Sequence, residues 1–311
     1  MFRSILFLLS LAVALCNPFS AKAQGEKRIT ILYDAFGPPS SLKMDWGFAA
    51  LIEYDGRRIL FDTGNNAKIF EHNVNQLNVD LARLDSVVIS HRHGDHTSGL
   101  NYIMKVNPTV KIYAPEEAAY FNAPAPVAFI QRTPGLPPNM SYYRGAQPEV
   151  FRSGSPWPDA NFEIVRKNTE IFPGFFILTT VSEKPGTRDM NEPSLAIKTP
   201  EGLAVVVGCS HPGVDKVLEN ATSIDPQLYT VTGGFHLVVT PVQEVQRVAA
   251  TLYDKLKIKR VAPGHCTSEL GFKVLMEQFK GSFRSGGPWP DDQPALSGPL
   301  QNLRSSGRAF P

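Results

Sequence analysis

The sequence predicts an α/β sandwich with sheets inside and helices outside, and three observations carry that reading. Each half of the chain opens its ordered part with a β-hairpin and continues as alternating strand and helix units. The segment Pro241 to Leu256 places Val242, Val245, Ala249, Leu252 and Leu256 at helical spacing. The chain has 311 residues, 42 % of them hydrophobic, which is ample for the core of one large domain or two small ones.

The elements follow in order. RITILYDA reads as a strand, and GFAALIEY-DG-RRILFDTG as a hairpin turning at Asp55-Gly56, a favoured two-residue turn. A helical segment runs from about Ala67 to Leu77. The buried-strand signal LDSVVIS delivers His91 at its end, a short helix follows near Leu100 to Val106, and VKIYA is the next strand. In the second half SLAIKT-PEG-LAVVVGCS is a hairpin that runs into His211, with a helix near Val214 to Asn220. QLYTVTGGF is a strand ending at His236, and RVAPGH is a strand ending at His265.

Between the halves, residues 114–167 are rich in proline and aromatics. A connection this long in a compact domain is functional or disordered, and Phe121, Phe129, Tyr142 and Tyr143 argue for an ordered cover near the site or along a sheet edge. Arg132 and Arg144, with the two tyrosines, would then shape a pocket for an anionic substrate. A short repeat, FRSGSPWPD at Phe151 and FRSGGPWPD at Phe283, reads as two surface turns with exposed tryptophans or as a pair of docking loops. Residues 283–311 read as a loosely held tail.

The first residues carry Arg3, an apolar run from Ile5 to Leu15 and the small-residue ending Ala21-Lys22-Ala23. That is the layout of a secretory signal peptide over residues 1–23, cleaved before Gln24, and the run is too short for a membrane span. A lipoprotein reading at Cys16 is disfavoured by the bulky Leu15 before it. The expected product, residues 24–282 plus the tail, is a periplasmic or secreted protein with no membrane contact after cleavage. A net charge of +2 with interspersed signs gives no basic stripe for nucleic acid. Beyond the leader, Cys209 and Cys266 are chemically able to bridge in an oxidising compartment, but each lies within two residues of a histidine and looks like part of a site.

Six of the seven histidines fall in four stretches, HRHGDH, GCSH, GGFH and PGHC, each after an expected strand; His72 alone lies apart, on the first helix. Histidines placed for packing would have no reason to gather at strand ends. His91 and His93, two apart in an extended segment, point to one side and can bind one metal, while Asp95 and His96, beyond the turn at Gly94, reach a second. These ligands suit zinc, iron or manganese better than calcium or magnesium. Two cations about 3.5 to 4 Å apart would bring a bridging water toward a pKa of about 7, supplying hydroxide while polarising the bond to be attacked.

His91 to His96, preceded by FDTG at Phe61 to Gly64, resembles the metallo-β-lactamase superfamily over roughly residues 28–279. The resemblance implies a four-layer αββα sandwich, a metal-dependent hydrolase site at one edge, His265 as the final metal ligand, and Asp62 as a carboxylate behind the metal-ligating histidines. GCSHPGV, GGFHL and PGHCTS are further similar to the subgroup of metal-dependent hydrolases related to dihydropterin-ribofuranosylaminobenzene-phosphate synthase. A pterin-cofactor step belongs in the cytoplasm, so the fold and metal site carry over to an exported chain and the named reaction does not.

Two departures from the superfamily pattern stand out. No histidine lies between His96 and His211, and Gly208-Cys209 stands where the bridging aspartate normally ends a strand. His211 is the expected replacement ligand and Cys209 the lesser candidate. His236 would ligate, shuttle protons or orient substrate. Glu192 or Asp189, in RDMNEPSL, would add a carboxylate or cap a loop, and Cys266 would pack behind His265. The expected function is an exported hydrolase of a small-molecule ester, amide, lactone or phosphoester, with His91, His93, Asp95, His96, His211 and His265 holding two zinc ions and Asp95 and His236 serving catalysis. The alternatives are a metal- or ligand-binding protein without turnover and a redox di-iron variant, the latter disfavoured because no flavodoxin-like domain follows.

Overall fold

Strand alternation explains the architecture, which we describe from a computed structural model covering residues 27–38, 40–117, 120–121, 133–146, 149 and 155–284. The leader, most of the tail, Phe129 and Arg132 lie outside the described residues. One sheet holds, in spatial order, β1 (Arg28–Tyr33), β2 (Ala49–Tyr54), β3 (Arg57–Phe61), β4 (Ser86–Val88), β5 (Lys111–Pro115) and β6 (Asn161–Val165). The other runs in reverse order, from β12 (Arg260–Gly264) through β11 (Leu228–Gly234), β10 (Gly202–Val207), β9 (Asn191–Thr199) and β8 (Phe175–Val181) to β7 (Thr169–Phe172).

Every one of the central strands is buried on both faces. On β2, Ala50 and Ile52 point between the sheets and meet Ile177, Leu195, Ile197, Ala204 and Val206 of the other sheet, while Ala49 and Leu51 face Phe70, Val74, Leu100 and Ile103 on the helical side. On β10, Ala204 and Val206 point inward, and Leu203, Val205 and Val207 pack under Val217, Leu218, Val245, Ala249 and Leu252. Period-two alternation with both sets apolar therefore forces four layers, helix, sheet, sheet, helix. Each fully buried aliphatic side chain contributes roughly 1.5–3 kcal/mol. Helix α1 (Ala67–Gln76), α2 (Gly94–Thr97) and α3 (Leu100–Val106) accompany the first sheet, and α4 (Val214–Ala221), α5 (Val242–Ala250) and α6 (Glu269–Phe279) the second. Asn66 caps α1 by accepting from the amides of Lys68 and Ile69 at 2.9 and 3.3 Å. Among the described residues, no helix is long and apolar enough to cross a membrane.

Four features differ from the sequence expectations. The segment 114–167 is not all cover, because β6 lies within it and extends the first sheet beyond β5. Strands β6, β7 and β8 carry no sequence expectation, since NFEIV, TEIF and FFILTTV sit beside proline- and glycine-rich sequence that masks their alternation. Trp157 of the first repeat is not an exposed turn residue: it is buried, its indole N–H donates to Asn101 Oδ1 at 2.9 Å, and its ring lies edge-on to Tyr120. The tail does not begin loosely, because Phe283 packs against the second core and the Arg284 amide donates to the Val261 carbonyl at 2.9 Å. The second repeat's tryptophan lies outside the described residues.

Gly99, between α2 and α3, packs where a Cβ would stand 2.1 Å from the Thr63 carbonyl oxygen and 2.8 Å from Thr63 Cβ. Backbone cannot yield as a flexible side chain would, so Gly99→Ala is expected to destabilise the chain by about 1–3 kcal/mol. Urea unfolding of the variant checks this, and an unchanged midpoint would refute it.

Candidate metal centre

The parallel strands β3, β4, β10, β11 and β12 all end at one edge of the sandwich, where open α/β sheets place their ligands. His91 and His93 follow β4, Asp95 and His96 lie in α2, and Cys209 with His211, His236 and His265 follow β10, β11 and β12. The loops converge. His91 Nε2 lies 3.1 Å from His93 Nδ1, and the His211 ring centroid is 4.7 Å from that of His91 and 5.1 Å from that of His93. Opposite, His96 Nε2 is 3.2 Å from His265 Nε2, and Asp95 Oδ2 is 3.3 Å from His265 Nε2 and 3.6 Å from His96 Nε2.

Cys209 sits between the two groups. Its Sγ is 3.2 Å from His96 Nε2 and 3.3 Å from His265 Nε2. One donor atom each from Asp95, His96, Cys209 and His265 falls within 4.8 Å of the others, as do those of His91, Cys209 and His211, of His91, His93 and Asp95, and of Cys209, His236 and Cys266. These are the residue types and spacings that hold transition-metal ions. Burial first, then the neighbouring imidazoles, keeps His91 and His93 below the ordinary histidine pKa, and neutral imidazole is the ligating form. Asp95 resists its partial burial through a hydrogen bond from His265 and the nearby His96, which hold it well below the usual carboxylate range.

Three buried carboxylates aim these side chains. Asp62, in the left-handed conformation at φ 55°, accepts the Ser90 amide at 2.8 Å, the Ser90 hydroxyl at 2.7 Å and His96 Nδ1–H at 2.7 Å. Burial works against a charged His96, but Asp62 raises it to about 9; the Asp62 hydrogen bond holds a proton on Nδ1 and turns Nε2 toward the centre, where a bound cation would have to displace the second proton. Glu192 accepts the amides of Cys209, Ser210 and His211 at 3.0, 2.7 and 2.8 Å and pairs with His211 Nδ1 at 2.9 Å. Its role is larger than a loop cap, while Asp189 is exposed and belongs to none of the donor groups. Asp34, which the sequence reading missed, accepts the His265 amide at 2.9 Å. An acid one residue past an apolar strand, with no histidine near it in sequence, carries no such signal.

A cavity of about 450 Å³ opens onto the centre, lined by His93, Asp95, Cys209, His211, His236, His265 and Cys266, with Trp46 and Asn65 on its rim. Cys266 is thus part of the pocket wall and not packing behind His265. Trp46 is 46 % exposed and its ring centroid stands 4.9 Å from that of His265. Tyr142, Tyr143 and Arg144 are exposed and line no part of this cavity, which removes them as the expected anion-binding wall.

Comparison with known proteins agrees with this architecture. The sequence profile described as "Metallo-beta-lactamase superfamily" matches residues 47–265, and the chain belongs to that superfamily. It is 28 % identical over 293 residues to the 7,8-dihydropterin-6-methyl-4-(beta-D-ribofuranosyl)-aminobenzene-5'-phosphate synthase of Methanocaldococcus jannaschii, covering 84 % of this chain and 94 % of the relative. Among solved structures, Tm1679, described as a metal-dependent hydrolase of the beta-lactamase superfamily, superposes with a TM-score of 0.61 at 25 % identity, over 84 % of this chain and 96 % of that one. The metallo-beta-lactamase fold protein YhfI of Bacillus subtilis shares the fold, with a TM-score of 0.51 at 11 % identity over 85 % of this chain and 97 % of that one.

Burial raises Asp34 from 3.8 to about 7. A carboxyl whose folded pKa lies above its unfolded value contributes stability below about pH 4 that is lost as pH rises through about 7. At about 1.4 kcal/mol per unit the ceiling is about 4 kcal/mol. Between pH 5 and pH 8 the metal-free wild type should lose on the order of 2 kcal/mol relative to Asp34→Asn, whose amide oxygen can still accept the His265 amide. Urea midpoints at both pH values decide it: equal declines would show that Asp34 is ionised throughout.

Proposed function

We propose that this superfamily member is an exported hydrolase of a small-molecule ester, amide, lactone or phosphoester, working at two zinc ions. The observation that supports it most is the pairing of two donor groups about one sulfur, both open to a single cavity. His91, His93 and His211 would hold one ion and Asp95, His96 and His265 the other, with Cys209 Sγ in reach of both. A thiol among imidazoles favours zinc over harder ions. Bound there, such ions supply an activated water near neutral pH and polarise the bond under attack.

The chain's own residues do the rest. Asp62 and Glu192 hold the imidazoles in one tautomer and orientation. Asp95, kept ionised, contributes charge on the cavity side. His236 is half-buried on the wall, its ring centroid 4.4 Å from that of His211, and its pKa is raised by a hydrogen bond with Cys266. It is therefore suited to deliver a proton to the leaving group. The archaeal relative favours a second reading, in which the same residues serve a synthase reaction on a pterin phosphate. The leader weighs against it, and N-terminal sequencing of the protein recovered from the periplasm or medium separates the two: a start at Gln24 supports export.

Purified without added metal, the chain from Gln24 onward should contain close to two zinc ions and hydrolyse generic chromogenic esters or phosphodiesters, with loss of activity on chelation. His93→Ala should lose at least one ion and about 10²-fold or more in rate while keeping its circular dichroism. Full metal and full activity in that variant would overturn the reading. Glu192→Gln should weaken zinc binding about 10- to 100-fold, measured by competition with a chromophoric chelator; unchanged affinity would show that Glu192 serves folding alone.

A further inference from the structure

The proposed function uses Cys266 only as the hydrogen-bond partner of His236, although its thiol is buried in the cavity wall beside the central sulfur. Cys209 lies just beyond β10 and Cys266 just beyond β12, so a whole strand, β11, runs between them. Neighbouring strands are about 4.8 Å apart, which would hold residues two strands away near 9.6 Å. The thiols nevertheless meet. Their sulfurs fall within 4.8 Å of each other, and Cys266 Sγ lies 3.6 Å from the Cys209 carbonyl oxygen.

Gly234 makes this possible. It ends β11 between the two cysteines, and a Cβ there would stand 2.7 Å from Cys266 Sγ and 2.6 Å from the Gly208 carbonyl oxygen. Any side chain at this position would fill the space through which the sulfurs approach. Both cysteines lie beyond their strands, Cys209 in a bend and Cys266 in a single 3-10 turn, so the last adjustment to bonding distance does not have to break a ladder. Each is almost fully buried from the bulk yet lines the cavity. A small oxidant that enters the cavity can therefore reach them.

We infer that Cys209 and Cys266 form an oxidation site, closing a disulfide in the metal-free chain and being held apart as thiols when metal is bound. The second half of that statement rests on the proposed metal centre. Cys209 Sγ touches His96 Nε2 and His265 Nε2, and a sulfur committed to a disulfide has no thiolate to offer a cation. Bridge and metal thus compete for one atom. With hydrogen peroxide as oxidant, one thiolate displaces hydroxide from the peroxide and becomes a sulfenic acid. The second thiol then displaces water, so two thiols and one peroxide give one disulfide and two waters. Thiol reductants reverse it.

The test uses the full chain carrying Cys16→Ser, which leaves Cys209 and Cys266 as its two thiols. Metal-free and zinc-loaded samples, each with its zinc content measured, receive the same peroxide dose, and their thiols are counted after denaturation. Peptide mapping then looks for the Cys209–Cys266 link. The metal-free chain should lose both thiols, show the linked peptide and fail to take up at least one of two zinc equivalents until dithiothreitol is added. The zinc-loaded chain should react about tenfold or more slowly. Cys266→Ser should give no link, and reductant should not restore zinc uptake to material whose Cys209 has passed beyond sulfenic acid. Two intact thiols, or two oxidised but unlinked ones, in the metal-free wild type would overturn the inference. A link formed equally fast in a sample that retains its zinc would overturn the competition. A chain that takes up no zinc before oxidation yet still forms the link would instead remove the metal reading and leave the oxidation site standing.

Discussion

The arrangement of this centre depends on three buried carboxylates, each gripping a loop that follows a different strand. Asp62 follows β3 and holds the loop after β4; Glu192 lies at the start of β9 and holds the loop after β10; Asp34 follows β1 and holds the turn after β12. The last of these crosses from one sheet to the other, so the two halves are locked at the same edge where the histidines meet. Burying three acids is costly unless each is paired or hydrogen-bonded. Here the required partners are the amides and imidazole N–H groups that must be fixed for ligation. A site of five imidazoles would otherwise be free to rotate and repel.

The three supports are not equally satisfied. Asp62 spends its oxygens on the Ser90 amide, the Ser90 hydroxyl and His96, and Glu192 on three amides and His211. Asp34 Oδ2 has no partner among the described residues, and His265 itself takes a left-handed backbone at φ 46°. Its Nδ1, like that of His236, is buried without a partner. These three unmet atoms lie on the β11 and β12 side of the centre, beside the two thiols, while left-handed backbone occurs on both sides, at Asp62 as at His265.

Much of this was legible in sequence. The turn at Asp55-Gly56, the doubly apolar strands and the helix at Val242–Ala250 follow from patterns with clear physical rules, and the histidines advertise themselves by standing at strand ends. The missing pieces share a different property. Strands β6 to β8 carry mixed burial, so neither clean alternation nor a continuous apolar run marks them. Trp157 was misplaced because a Gly- and Pro-rich neighbourhood signals a turn without saying which way the aromatic faces. Asp34 and Trp46 contribute through contacts with residues distant in the chain, and no local spacing encodes that; Glu192 was a candidate carboxylate, but its grip on the β10 loop is likewise a contact across the chain.

The position of Cys209 ties the departures from the superfamily pattern together. With no histidine between His96 and His211, the donor group of His91 is completed by His211 from the β10 loop, which also carries Cys209, in reach of both donor groups. One loop therefore supplies both, through residues two apart whose amides Glu192 holds in a fixed turn. Any shift of Cys209 therefore moves His211 with it. The described residues of segment 114–167 belong to none of the donor groups; among them Glu117 pairs with Arg92 at 2.5 Å, β6 extends the first sheet and Trp157 is buried.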